Sequence, residues 1–154
     1  MRIRSNVLEY DAADQQAAVT HFGGRLAFET DCSDVGADIA AGVTGFVVVD
    51  CRGPELFAGG HVPGAINIPH RRITAATIAE LISDESAVIV TYCNGPHCNA
   101  STRGAVRFAA LGRRVKEMPG GMDGWLREGL PVEASQGLPV SQGLPVSLVS
   151  PERS

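Results

Sequence analysis

Ala87-Val-Ile-Val-Thr-Tyr92, then Cys93-Asn-Gly-Pro-His-Cys-Asn-Ala100, then Ser101-Thr-Arg103 read in succession as a strand, a loop and the opening of a helix. The first run is short, apolar and rich in β-branched residues, which suits a strand buried on both faces of a sheet. The second carries Gly and Pro and no apolar period, the composition of a loop. From Ser101 the helix is expected to continue through Leu111 and stop at Gly112. Gly45-Phe-Val-Val-Val-Asp50 has the character of the first run, so a second central strand is expected there. Between the two lie a Gly/Pro-rich loop, a short strand candidate at Ala65-Ile-Asn-Ile68 and a helix near Ala75 to Ile82.

Farther out, Val115-Lys-Glu-Met118 reads as another strand, followed by Pro119-Gly-Gly121 and a helix around Trp125. On the N-terminal side, Asp11 to Phe22 places Ala17, Ala18 and Phe22 at helical spacing, and Gly23-Gly24 is expected to close that helix. Leu26-Ala-Phe-Glu29 is a candidate short strand. Ser33 is the expected N-cap of the next helix, with Val35, Ile39 and Ala40 facing inward and Gly42 ending it. Strands alternating with helices predict an α/β fold, a central parallel sheet with helices on both faces in three layers. Ligands of open parallel sheets bind beyond the carboxyl ends of the strands, where Asp50 and Cys93 both fall.

Composition narrows the class. A chain of 154 residues with 44% hydrophobic and 19% charged residues suits one globular domain with a real core, not a disordered chain. Lys and Arg number 13 against 17 Asp and Glu, a formal charge of −4, which argues against a nucleic-acid or anionic-membrane partner. No apolar run approaches bilayer length, and the first ten residues lack the apolar core of a secretory signal, so a cytoplasmic location is expected. Residues 1–30 are expected to form a helix and short strand packed on the domain, 31–132 the domain itself, and 133–154 a disordered tail. In that tail Ser135-Gln-Gly-Leu-Pro-Val140 recurs as Ser141-Gln-Gly-Leu-Pro-Val146. Repeats this short, broken by Gly and Pro, cannot build a core.

Four cysteines, Cys32, Cys51, Cys93 and Cys98, are too few for a disulfide scaffold at this length. Cys93 stands out by position. A strand delivers its thiol to the sheet edge, and a short loop then leads into a helix N-terminus. Loop N–H groups and the positive helix end converging there would stabilise a thiolate and any oxyanion beside it. Gly95 permits tight curvature, and Arg103 in the first helical turn adds positive charge. The alternative is an inert buried cysteine.

The sequence resembles the rhodanese family of sulfurtransferases in four segments at once. Val48-Val-Asp-Cys-Arg52 is similar to the family's strand-ending Asp-Val-Arg element, and Gly60-His-Val-Pro-Gly-Ala65 to its Gly-His-Ile-Pro-Gly-Ala signature. Tyr92-Cys93 matches the position of the family's catalytic cysteine, and Gly120-Gly-Met-Asp-Gly-Trp125 with Glu128-Gly-Leu-Pro-Val132 resembles its closing segment. The resemblance implies a single α/β domain and a cysteine that accepts a sulfane sulfur from thiosulfate or a related anionic donor. That cysteine holds the sulfur as a persulfide and passes it to a thiophilic acceptor, a thiol or cyanide, with a protein acceptor as a further possibility. It implies no metal or organic cofactor. Cys93 is then the catalytic residue. Asn94, Gly95, His97, Cys98, Ser101, Thr102, Arg103 and Arg52 are the residues expected to bind substrate or shape the loop, and Asp50 and His61 structural groups beside the site.

Three departures from the family pattern bear on these roles. The loop is longer by about three residues, with His97 and Cys98 in the extra length. Cys98 has the family's usual spacing to Arg103, which makes it a second candidate nucleophile or a resolving thiol. Leu56 stands where many relatives place a Glu, leaving the partner of Arg52 open, with Glu55 the nearest substitute. Phosphatase chemistry on the same fold needs an Arg six residues after the nucleophile to clamp three oxygens, and that position is Asn99. A zinc site from Cys93, His97 and Cys98 would need a fourth ligand from Cys51 or His61. A non-catalytic or redox-sensing module using Cys93 and Cys98 is the alternative from another functional class.

Overall fold

The computed structural model describes residues 3–135. The sheet has four parallel strands, β1 (Phe46–Asp50), β2 (Ile66–Asn67), β3 (Val88–Tyr92) and β4 (Val115–Glu117), in the order β2-β1-β3-β4. The two β-branched runs are thus the central pair, aligned from Phe46 opposite Val88 to Asp50 opposite Tyr92. Alternation along them divides the core. Phe46, Val48, Val90 and Tyr92 meet Cys32 and Val35 of α2 (Cys32–Ala41), Phe57 of α3 (Pro54–Gly59) and Met122 and Trp125 of α6 (Gly121–Arg127). On the other face Val47, Val49 and Ile89 meet Ile78 of α4 (Ala75–Leu81) and Phe108 of α5 (Ala100–Ala110). This is the expected three-layer α/β fold. Trp125, Tyr92 and Phe108 are buried almost completely, and side chains of this size contribute roughly 1.5–3 kcal/mol each. The Trp125 indole also donates to the Pro131 carbonyl at 2.7 Å, tying the chain after α6 to the core.

Several expectations need correction. The first helix, α1 (Gln15–Phe28), runs through Gly23-Gly24 and includes Leu26–Phe28, so the short strand is absent. Glycine costs a helix about 1 kcal/mol but ends it only where a left-handed cap forms. None forms here. Only Glu29 keeps a strand-like contact, a bridge to Glu117. No residue of α1 is buried, and Val19, Phe22 and Leu26 are exposed, so its attachment is confined to its C-terminal end. There Thr30 N–H donates to the Glu117 carbonyl and Lys116 Nζ to that of Leu26.

α2 is capped by Asp31, whose carboxylate accepts from Asp34 N–H at 2.8 Å, rather than by Ser33. Gly42 ends it at φ +71°, as expected, while Ala40 is exposed. α3 lies inside the stretch read as loop. Its Pro54 is at the first helical turn, where a fixed φ and a missing N–H cost nothing. A 3-10 turn over His70–Arg72 follows β2.

The domain also extends past residue 132. Glu133 exchanges two backbone hydrogen bonds with His61, at 2.8 and 3.0 Å, and Ser135 N–H donates to the Ala58 carbonyl. The rest of the expected tail, including both copies of the repeat after Ser135, lies outside the described residues. No helix among the described residues is long and apolar enough to cross a membrane.

Candidate active site

β3 ends at Tyr92 and α5 begins at Ala100, so Cys93–Asn99 bridge the carboxyl edge of the sheet and a helix N-terminus. The loop's main chain is held by α6. Met122 N–H donates to the Cys93 carbonyl at 2.9 Å and Asp123 N–H to that of Asn94 at 2.8 Å. Gly121 makes this approach possible. Its φ is +58°, and a Cβ there would lie 2.6 Å from the Cys93 carbonyl oxygen and 2.7 Å from the Gly95 nitrogen. Within the loop Cys98 N–H donates to the Gly95 carbonyl at 3.0 Å, folding the extra length back over Cys93.

Cys93 is 1% exposed. Its Sγ lies 3.2 Å from Ser101 Oγ and donates to the Cys98 carbonyl at 3.4 Å. Burial pushes this thiol up, and the hydroxyl and N–H of Ser101 offset only part of that. Cys98 is half-buried and behaves oppositely. Burial opposes its ionisation, but the Ala100 N–H, the Cys93 thiol, the Asn94 N–H and the Arg52 charge outweigh it and hold the thiol below its ordinary range. The hydrogen bonds of Cys93 Sγ are to the Ser101 hydroxyl and the Cys98 carbonyl, so the ring of amides expected around it is not seen among the described residues; the longer loop instead brings a second thiol, Cys98, beside it.

Cys32 is pushed up to about 11, by burial and then by Asp31, and Cys51 is pushed up by burial and then by Asp50. Iodoacetamide at neutral pH is accordingly expected to alkylate Cys98 first, then Cys93, with Cys32 and Cys51 last, read by peptide mass. Alkylation of Cys51 ahead of Cys98 would contradict this ordering.

Arg52 follows β1 by two residues. Its guanidinium is 7% exposed and committed to the Asp50 carboxylate at 2.7–3.1 Å and to the Gly60 carbonyl at 2.7 Å. Asp50 also accepts from Tyr92 Oη at 2.7 Å and from Arg52 N–H at 2.9 Å. So the open question of Arg52's partner resolves to Asp50, two residues away, rather than Glu55. His61 is 6% exposed. Its Nδ1 is 2.7 Å from the Phe57 carbonyl, and its ring stacks on Phe57 at 3.7 Å. His97 is exposed at the loop rim, 3.6 Å from Asp123. Gly95 is buried between His97 and Asp123, and Asn94 is half-buried. Thr102 Oγ1 donates to Glu117 Oε1 at 3.0 Å. Arg103 is exposed on the same side as His70. No three His, Cys, Asp or Glu side chains converge as metal ligands among the described residues.

One site residue went unmarked in the sequence. Glu117, the last residue of β4, accepts from Ser101 Oγ at 3.2 Å and so touches the group that touches Cys93. The strand-end rule that singled out Asp50 and Cys93 applies equally to it.

The model of the rhodanese-like domain family matches residues 34–128, which include this strand–loop–helix and the α6 segment that braces it. The chain belongs to the rhodanese-like domain family. Among curated relatives, an HTH-type transcriptional regulator of Mycobacterium tuberculosis is 45% identical over 94 residues, 60% of this chain and 39% of that protein. The thiosulfate sulfurtransferase GlpE of Pseudomonas entomophila is 32% identical over 100 residues, 64% of this chain and 86% of that one. Against the first three curated relatives the matched region spans only 39–56% of their length. A crystal structure of a Bacillus halodurans protein, 41% identical, superposes with a TM-score of 0.75 over 79% of this chain and 88% of its own.

Proposed function

We propose that this rhodanese-like domain transfers sulfane sulfur from thiosulfate or a related anionic donor to a thiol or cyanide acceptor, through a persulfide on Cys93. The observation that carries this reading is the strand-end sulfur of Cys93 lying 3.2 Å from the Ser101 hydroxyl at the first turn of α5. Ionised, Cys93 attacks the sulfane sulfur of the donor. The donor's S–S bond breaks, sulfite leaves with the electron pair, and the persulfide anion stays beside the Ser101 donors and the helix end. The relatives named thiosulfate sulfurtransferase support the same chemistry.

A second reading, a regulatory module whose event is a Cys93–Cys98 disulfide, is favoured by the relative named as a transcriptional regulator and by the two thiols sharing one loop. Intact-mass measurement separates the two. After thiosulfate, a gain of one sulfur atom mapped to Cys93 is the expected result. Loss of two hydrogens under mild oxidant, with no sulfur gained from thiosulfate, would instead favour the disulfide module.

A further inference from the structure

We propose that Ser101 and Glu117 form a proton relay that ionises Cys93, with Glu117 taking up the proton; this rests on Cys93 being the sulfur carrier. Cys93 is 1% exposed, which leaves its proton little direct access to bulk water at neutral pH. Its Sγ has two acceptors within reach, the Cys98 carbonyl at 3.4 Å and Ser101 Oγ at 3.2 Å. A carbonyl accepts a hydrogen bond but has no proton of its own to pass on, whereas a hydroxyl can take one proton while giving up another. Ser101 is itself 1% exposed, and its hydroxyl donates onward to Glu117 Oε1 at 3.2 Å.

The geometry is fixed from both sides. Thr91 Oγ1, buried on β3, donates to the Ser101 carbonyl at 3.1 Å, and Thr102 Oγ1 donates to the same Glu117 oxygen at 3.0 Å. In the step, the Cys93 proton moves to Ser101 Oγ as the Ser101 hydroxyl proton moves to Glu117. No electrons change hands, and the single negative charge passes from carboxylate to sulfur. Glu117 is half-buried and returns its proton to solvent once sulfite has left. The other titratable groups facing this sulfur are the thiols of Cys98 in the loop and Cys51 at the end of β1.

The test uses Glu117→Gln, Ser101→Ala and their double variant, each in a Cys98→Ser background. The readouts are the rate of Cys93 alkylation by iodoacetamide and single-turnover sulfite release from thiosulfate, both across pH. Gln keeps an oxygen for Ser101 and Thr102, and near-ultraviolet circular dichroism checks that the fold persists. Each single variant is expected to slow both rates about a hundredfold at neutral pH, with the double no slower than either. The deficit should shrink in alkali, where hydroxide ionises the thiol directly. A Glu117→Gln rate equal to or above the parent, or losses that multiply in the double variant, would overturn the relay. Failure of the carrier reading shows separately, as sulfur loading that survives Cys93→Ser; the alkylation profile of Cys93 still reports on the relay in that event.

Discussion

Cys93→Ser is expected to reduce thiosulfate-dependent sulfite release to background, a loss of about 10³-fold or more, with an unchanged circular dichroism spectrum. A serine hydroxyl at this place keeps the hydrogen bond to Ser101 but ionises far too weakly to attack a sulfane sulfur. Cys98→Ser is expected to cost much less, about tenfold, because Cys98 contributes its carbonyl and backbone to the closed loop and both survive the substitution. The comparison is demanding, because Cys98 is the more exposed thiol and the more readily ionised. Should Cys98→Ser abolish sulfur loading while Cys93→Ser keeps it, the carrier moves to Cys98 and Cys93 becomes the inner partner. Steady-state sulfite assays on the two variants side by side decide it.

The second large effect is on stability. Asp50→Ala is expected to lower the unfolding free energy by about 3–5 kcal/mol, because it strands the buried Arg52 guanidinium. In a domain of this size that corresponds to a fall in melting temperature of roughly 10–20 °C, measurable by calorimetry. The carboxylate accepts from the guanidinium, from the Arg52 N–H and from Tyr92 Oη, and the Tyr92 oxygen in turn accepts from Val62 N–H. Removing it leaves a charge and a hydroxyl unpaired at one point. A shift under a few degrees would mean that solvent reaches this pair.

The central strands were legible because β-branched runs bounded by Gly and polar residues have few alternatives. The signature around Gly60-His61 and the closing segment around Trp125 were legible as resemblance. Other features were not. Whether Gly23-Gly24 stops a helix depends on a left-handed cap that sequence alone does not reveal. α3 was masked by the same Gly and Pro residues that start it. That the extended loop folds a second thiol back beside Cys93 is something no spacing rule encodes. Spacing alone does not pair Arg52 with Asp50, because side chains two apart in a strand point the same way without meeting. Here the chain leaves β1 at Asp50, and the side chain curls back. Glu117 required knowing that β4 lies beside β3 in register, with Thr91 opposite Glu117.

The brace that α6 puts on the loop has a mechanical reading. Its first turn grips the carbonyls of Cys93 and Asn94, and four residues on, its indole is anchored by Pro131, just before Glu133 locks to His61. The stretch from Cys93 to Glu133 is therefore one connected brace, in which a shift of the segment around Pro131 would be felt at the backbone of Cys93.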